Sequence, residues 1–293
     1  MTLSHWITGA RVRTLPLAAA PIFLGAATAW LIDRFDLLLG IGALAVALLL
    51  QIGVNYANDY SDGIRGTDDN RVGPQRLTAS GLVRPQSVKL AAGISFLAAG
   101  AIGLSMVIAT SQYWLVLVGA LSILAAWYYT GGKHPYGYAG LGELAVFVFF
   151  GLVATVGTNF LMTGKVDALA LILGAASGLY ASAVLLVNNI RDRETDIASG
   201  KRTLAVLLGD KRARALFLVM LYVPFALNIL LILIYPATVI GLLNLLLLIP
   251  ISGIALTGKT PKELITALKL TSLAGFSYGL LLAIGLVVVN FSF

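Results

Sequence analysis

The chain has 293 residues, 59% of them hydrophobic and only 11% charged, with a mean hydropathy of +0.92. So few polar side chains cannot cover a water-soluble protein of this size, which argues against a soluble enzyme or a nucleic-acid-binding domain and makes the net charge of +7 a matter of membrane topology instead. The lack of cysteine excludes disulfides, thiolate metal sites and a cysteine nucleophile, and His5 and His134 lie too far apart in sequence to suggest a histidine-rich zinc site.

Met1 to Thr14, with Arg11 and Arg13, read as a short cytoplasmic approach to the membrane. Apolar runs about as long as a bilayer core then recur along the chain. Nine are expected, over 15–32, 37–57, 88–109, 113–130, 140–162, 167–189, 213–235, 237–257 and 271–290. The first has no small-residue cleavage site and more spans follow it, so it is not read as a removable signal. With the N-terminus inside, 18 of the 20 Lys and Arg fall in inside segments, and only Arg34 and Lys165 fall outside. That asymmetry supports the nine-span count and the orientation. The expected fold is therefore an all-α integral membrane protein, one domain over residues 1–293, with nine transmembrane helices around a central cavity. Long inside loops after the second and sixth spans, about 58–87 and 190–212, cap it, and long loops in compact proteins are usually functional.

The second span runs into NYANDYSDGIRGTDDNRVGPQRLTASGLVR (55–84), which concentrates carboxylates, amides and arginines in a chain otherwise poor in charge. If the helix continues, Asn55, Asn58, Asp59 and Asp62 stand at i, i+3, i+4 and i+7 and share one face. Continuing the sixth span places Asn188, Asp192 and Asp196 on one face as well. NDYSDGIRG (58–66) also aligns with NNIRDRETD (188–196), matching Asn58 to Asn188 and Asp62 to Asp192. Both spans run in the same direction, so two carboxylate faces are expected to oppose each other across a cavity. Hard oxygen donors of this kind suit Mg²⁺ completed by substrate phosphates. The bases nearby, Arg65, Arg71, Arg76, Lys133 and Lys201, suit a polyanion. Acids, bases and a greasy cavity together fit a lipid diphosphate. Charged residues at span ends are also common as a solvated face, and the repeated face with interleaved amides is what sets this stretch apart.

NDYSD and NNIRDRETD, each at the end of a span, resemble the paired Asp-rich motifs of the UbiA superfamily of intramembrane aromatic prenyltransferases. Asp192, Asp196, Gly200, Lys201, Thr203 and Leu204 fit its DxxxDxxxGKxTL pattern. RTLP (13–16), NYANDYSDGIRGTDDNRVGPQRL (55–77), YTGGKHPYGYAGLGELAVFVFFG (129–151) and NNIRD (188–192) are most similar to the branch that prenylates 1,4-dihydroxy-2-naphthoate in menaquinone synthesis. The resemblance covers nearly the whole chain and is weakest beyond about 215.

The resemblance implies Mg²⁺ held through a polyprenyl diphosphate by Asn58, Asp62, Asp192 and Asp196, with Asp59 beside them. Where many members carry another acid this chain has Gly66, so Asp68, or Asp69 beside it, is assigned that role. Asp62, Asp192, Lys133 and Tyr129 are implied as catalytic, with Tyr129 and Lys133 forming a YxxxK pair that touches diphosphate and acceptor. Arg13, Asn55, Tyr129, Tyr138, Asn188 and Asn189 are implied around the aromatic acceptor. Tyr136 and Tyr138 read equally well as interfacial anchors. Glu143, near the start of a span, reads equally as an orienting group or a helix cap. Leu207 stands where relatives often have Arg before the Leu-Gly that ends the second motif.

The expected function is transfer of a polyprenyl group to 1,4-dihydroxy-2-naphthoate with loss of CO₂ and diphosphate, at the cytoplasmic side of a bacterial plasma membrane. No nucleic acid and no obligate protein partner is inferred. The alternatives are another acceptor, such as 4-hydroxybenzoate or homogentisate, or an ion-coupled transporter. Transporters place such acids near the midplane, whereas these lie at one face.

Overall fold

A computed structural model describes residues 3–67 and 76–290, without the side chains of Arg13 and Asn290. All its regular elements are helical. In chain order they are α1 (Leu3–Ala10), α2 (Leu15–Trp30), α3 (Leu37–Ile64), α4 (Pro85–Thr110), α5 (Leu115–Tyr128), α6 (Gly142–Thr163), α7 (Ala168–Arg191), α8 (Arg193–Ala198), α9 (Leu204–Leu208), α10 (Asp210–Ile232), α11 (Pro236–Thr257) and α12 (Pro261–Asn290).

Seven of these, α3, α4, α6, α7, α10, α11 and α12, are long and apolar enough to cross a bilayer. The expected segment at 15–32 is α2, 16 residues long, which bends by 54° from α1. The expected segment at 113–130 is α5, 14 residues. At 1.5 Å per residue these two reach only about 24 and 21 Å, short of a hydrocarbon core of about 30 Å. Two boundaries differ usefully from the expected ones. Helix α3 runs to Ile64, and its 28 residues span about 42 Å, so its last turns carry Asn58 and Asp62 beyond the apolar segment. Helix α12 begins at Pro261 rather than near 271, because proline at the first turn lacks only an N–H that no intrahelical partner would accept.

Local chemistry sets several ends. The Asp36 carboxylate accepts from Leu39 N at 2.9 Å and starts α3, and Asp167 accepts from Leu169 N at 2.6 Å and starts α7. In α6, residues Phe147–Val153 are wound as a wider π-helical segment. Such segments re-aim side chains within a helix. Here Phe149, Phe150 and Val153 line the central cavity.

Packing divides around that cavity. One apolar core joins α2, α7, α10, α11 and α12 around Leu24, Tyr180, Phe217, Leu248 and Leu282. A smaller one joins α1, α3, α4 and the segment after residue 76 around Tyr56, Leu77, Val88 and Phe96. Helices α6 and α7 meet through glycine. A Cβ on Gly151 would lie 2.6 Å from the Gly174 carbonyl oxygen and 2.7 Å from the Gly178 nitrogen. Backbones this close are how lipid-embedded helices gain contact where water offers no drive.

Candidate active site

The first acid face stands where the sequence places it, at the end of α3. Asn58 Oδ1 accepts a 2.8 Å bond from the Thr130 hydroxyl, and Asp62 Oδ1 accepts a 2.6 Å bond from the Tyr138 hydroxyl. Lys201 Nζ approaches the same Asp62 oxygen to 3.7 Å and lies 4.6 Å from the Tyr138 ring centroid. Tyr138 sits on a short turn, Tyr136–Ala139, whose backbone accepts from Arg202 N at 2.9 Å. That bond ties the α5–α6 connection to the loop after α8. Gly200, at φ 75°, turns the chain so that Lys201 comes back over Asp62, a conformation that favours glycine.

Burial first, and then the Asp62 charge, push the Tyr138 hydroxyl well above its ordinary pKa. It therefore remains a donor to Asp62 at neutral pH. Tyr138→Phe removes a hydrogen bond to a charged group, of the order of 1.5–3 kcal/mol. A fall of roughly tenfold or more in kcat/KM is expected by steady-state assay. Unchanged turnover would show the contact to be idle.

The second acid face is less continuous than its spacing suggests. Helix α7 ends at Arg191, and Asp192, at φ −91° and ψ 6°, breaks the regular helix before α8. The one-face reading nevertheless survives, because Asp192 N still bonds the Asn188 carbonyl at 3.1 Å and Asp196 N bonds that of Asp192 at 2.8 Å. Arg191 grips the Asp192 carboxylate with two bonds of 2.6 Å, one from Nε and one from Nη2. Such a planar fork is among the stronger ion-pair geometries. Asp196 Oδ2 accepts from the Thr203 hydroxyl at 3.3 Å. Glu143 is buried, and its Oε1 accepts from Asn189 Nδ2 at 2.9 Å. It thus sets the amide of a residue in the second motif.

The two faces meet in one polar cavity of about 90 Å³, lined by Asn58, Asp62, Asn188, Asn189, Asp192, Asp196, Arg76 and Lys201. It adjoins an apolar tunnel of about 1520 Å³. That exceeds the roughly 300–1,000 Å³ of ordinary small-ligand sites and calls for a long apolar ligand. Arg11, Asn58, Arg76, Tyr129, Leu185 and Asn188 line both spaces and so mark their junction. Among the described residues, no three His, Asp or Glu side chains stand close enough to hold a metal ion by themselves. The donors present are carboxylate and amide oxygens beside fixed cations. They fit a Mg²⁺ ion that takes its remaining oxygens from a bound phosphate.

Several sequence expectations change. Asp59 does not line the polar cavity. It is buried, with Oδ2 accepting from Leu77 N at 2.9 Å and Oδ1 from Thr78 N at 2.8 Å. It anchors the segment after residue 76 and borders the tunnel instead. The Arg65 guanidinium donates to the carbonyls of Thr130 and Gly132, so it clamps the α5–α6 connection instead of pointing into the cavity. Lys133 is exposed and lines neither space. Asn55 is held by Nδ2 donating to the Ala10 carbonyl at 2.9 Å and borders the tunnel, not the polar cavity. Tyr129, Tyr138, Arg76 and Lys201 are brought to the polar cavity. Asp68, Asp69, Arg71 and the side chain of Arg13 lie outside the described residues. Sequence reasoning missed Arg11, Arg191 and Thr130 as parts of the site. Arg191 and Thr130 carried a signal, their places inside NNIRD (188–192) and the stretch 129–151, whereas Arg11 carried none.

The chain matches the family described as UbiA prenyltransferase family over residues 18–273. It is 48% identical to the 1,4-dihydroxy-2-naphthoate octaprenyltransferase of Mycobacterium tuberculosis, an alignment covering 96% of each chain. Among solved structures it resembles the apo UbiA homolog from Aeropyrum pernix K1, with a TM-score of 0.68, 19% identity and 98% of each chain covered. It also resembles a UbiA homolog from Archaeoglobus fulgidus bound to GPP and Mg²⁺, with a TM-score of 0.65, 14% identity, and 95% of this chain and 99% of that one covered.

Proposed function

Because the chain belongs to the UbiA prenyltransferase family, we propose that it transfers a polyprenyl group from an allylic diphosphate to 1,4-dihydroxy-2-naphthoate, releasing diphosphate and CO₂ to give demethylmenaquinol, the reduced form of demethylmenaquinone. The single observation that carries this reading is a polar cavity holding both acid faces, opening on a long apolar tunnel. The 48% identity to a named naphthoate octaprenyltransferase supports the choice of acceptor. The site lies at the cytoplasmic side of a bacterial plasma membrane. In this reading α2 and α5 complete a bundle of nine spans in a single domain.

The tunnel takes the isoprenoid tail, and the polar cavity takes the diphosphate. Asn58, Asp62, Asp192 and Asp196 would hold Mg²⁺ through the diphosphate, where the ion, as a Lewis acid, makes diphosphate a better leaving group. Lys201 and Arg76 face the same cavity and offset the charge that gathers on the departing oxygens. Breaking the C1–O bond leaves an allylic cation. Tyr129, Phe149 and Phe150 line the tunnel, where aromatic faces attract a cation and exclude water. The electron-rich naphthoate ring then attacks C1 through its carboxylate-bearing carbon. The bond to the carboxylate breaks, its electron pair returns to the ring, and CO₂ leaves, so no strong base is needed.

The test is an assay of purified protein with 1,4-dihydroxy-2-naphthoate or 4-hydroxybenzoate against a ladder of prenyl diphosphates, with the products weighed. Prenylated naphthoquinol and stoichiometric diphosphate are expected. Chelating the divalent cation with EDTA is expected to lower turnover by roughly a hundredfold or more, with recovery on adding Mg²⁺. Prenylation of 4-hydroxybenzoate alone would overturn the acceptor. Full activity in EDTA would overturn the metal.

A further inference from the structure

We propose that Arg11 binds the carboxylate of the aromatic acceptor and so selects acceptors that carry one. The inference rests on the functional reading above and extends it to one residue. Arg11 follows α1 with φ 52° and ψ 54°, the left-handed region that side chains other than glycine rarely adopt. Its backbone is held on both sides, by its N–H donating to the Thr8 carbonyl at 3.1 Å and its carbonyl accepting from Thr14 N at 2.8 Å. Glycine would meet this geometry without steric conflict, so the presence of arginine points to a use for its side chain.

That side chain is aimed inward. Arg11 lines both the tunnel and the polar cavity, which puts it where the two substrates must meet. Its Nη2 is buried and has no hydrogen-bond partner among the described residues. A buried guanidinium nitrogen without an acceptor is costly, and an anionic ligand removes that cost. Two neighbouring cations already have acids. Lys201 in the polar cavity stands at Asp62, and Arg191, which borders the tunnel, is matched fork to fork with Asp192. Two guanidinium groups border the junction, Arg76, assigned above to the diphosphate, and Arg11, whose planar fork is the geometry that fits one carboxylate. Asn58, Tyr129 and Asn188 share that junction and present amide and hydroxyl groups suited to the hydroxyls of a dihydroxy ring. Holding the carboxylate there also directs the carbon that bears it toward the tunnel mouth.

The test uses the full-length protein in detergent with a fixed prenyl diphosphate. KM values for 1,4-dihydroxy-2-naphthoate and for the prenyl diphosphate are measured in wild type, Arg11→Gln and Arg11→Lys. The inhibition constant of 1,4-dihydroxynaphthalene, which lacks the carboxylate, is measured in each. Arg11→Gln is expected to raise the acceptor KM by about tenfold or more, since a charged hydrogen-bonded pair is lost. Arg11→Lys should recover part of that. The prenyl-diphosphate KM and the dihydroxynaphthalene inhibition constant are expected to stay within about twofold. A parallel rise for acceptor and dihydroxynaphthalene would make Arg11 merely structural and overturn the assignment. A rise in the prenyl-diphosphate KM with an unshifted acceptor KM would assign Arg11 to the diphosphate instead. Failure of the wild type to use or bind the naphthoate would overturn the functional reading itself and this assignment with it.

Discussion

Asp62→Ala is expected to lower kcat by about 10³-fold or more while the protein still inserts and folds. Asp62 lies at the C-terminal end of α3, in contact with Tyr138 and Lys201, and borders the polar cavity. None of its contacts belongs to either apolar core. Its removal leaves Lys201 only 11% exposed, next to a small polar cavity that water can enter, so the effect on folding is small beside the effect on turnover. Asp192 is different. Its partner Arg191 has a side chain only 3% exposed, and Asp192→Ala strands that buried guanidinium. Breaking a buried pair from one side costs about 3–5 kcal/mol. Loss of activity in Asp192→Ala therefore mixes chemistry with stability. Asp192→Asn keeps the shape and a hydrogen-bond acceptor, and is the variant whose kcat reports on charge. Thermal melts in detergent beside prenyl-transfer assays separate the two effects. Activity near wild type in Asp62→Ala, or in a folded Asp192→Asn, would remove the basis for the cation site.

The second large effect is expected from the glycine contact between α6 and α7. A side chain at Gly151 meets the backbone of Gly174 and Gly178, and one at Gly178 meets the Phe147 carbonyl oxygen at 2.7 Å. Backbone cannot swing aside as a flexible side chain can. Gly151→Leu should therefore force the two helices apart at a cost of about 1–3 kcal/mol or more, with a lower melting temperature. Helix α6 carries Glu143 and α7 carries Asn189, which are bonded to each other. The same separation should therefore disturb the second motif and depress activity. Gly253, on α11, is the control. A Cβ there meets nothing within 4 Å, so Gly253→Ala should change stability by no more than about 0.5–1 kcal/mol, and favourably through helix propensity. Equal melts for the two variants would show that the α6–α7 approach is not tight.

Much of the molecule was legible because membranes impose few solutions. In hydrocarbon every backbone polar group must be satisfied within its own segment, so apolar runs of span length had to be helices. Helical periodicity then placed Asn58 with Asp62, and Asn188 with Asp192 and Asp196, on common faces, and the structure keeps them there. The parallel repeat correctly put both faces at one end. Span counting was less certain, since α2 and α5 are apolar but shorter than a straight crossing requires.

Cations were read less well than acids, for a physical reason. Lys and Arg have long, flexible stems and can point several ways from one Cα. Sequence proximity therefore grouped Arg65, Lys133 and Lys201 as alike, and tertiary contacts sorted them. Arg65 found carbonyls of the α5–α6 connection, Lys133 faces outward, and only Lys201 reaches Asp62. Asp59 shares a face with Asp62 by periodicity, yet the backbone of Leu77 and Thr78 takes both its oxygens. Arg11 came from a stretch read only as an approach to the membrane, and a left-handed turn places it at the junction. By itself the sequence determined the helical, membrane-embedded fold, the end of the helices where the polar cavity lies and the acids that line it. The tertiary structure alone decided which cations join them and which acid serves as an anchor. Periodicity is a property of one helix, whereas the choice of partner depends on where loops distant in sequence come to rest.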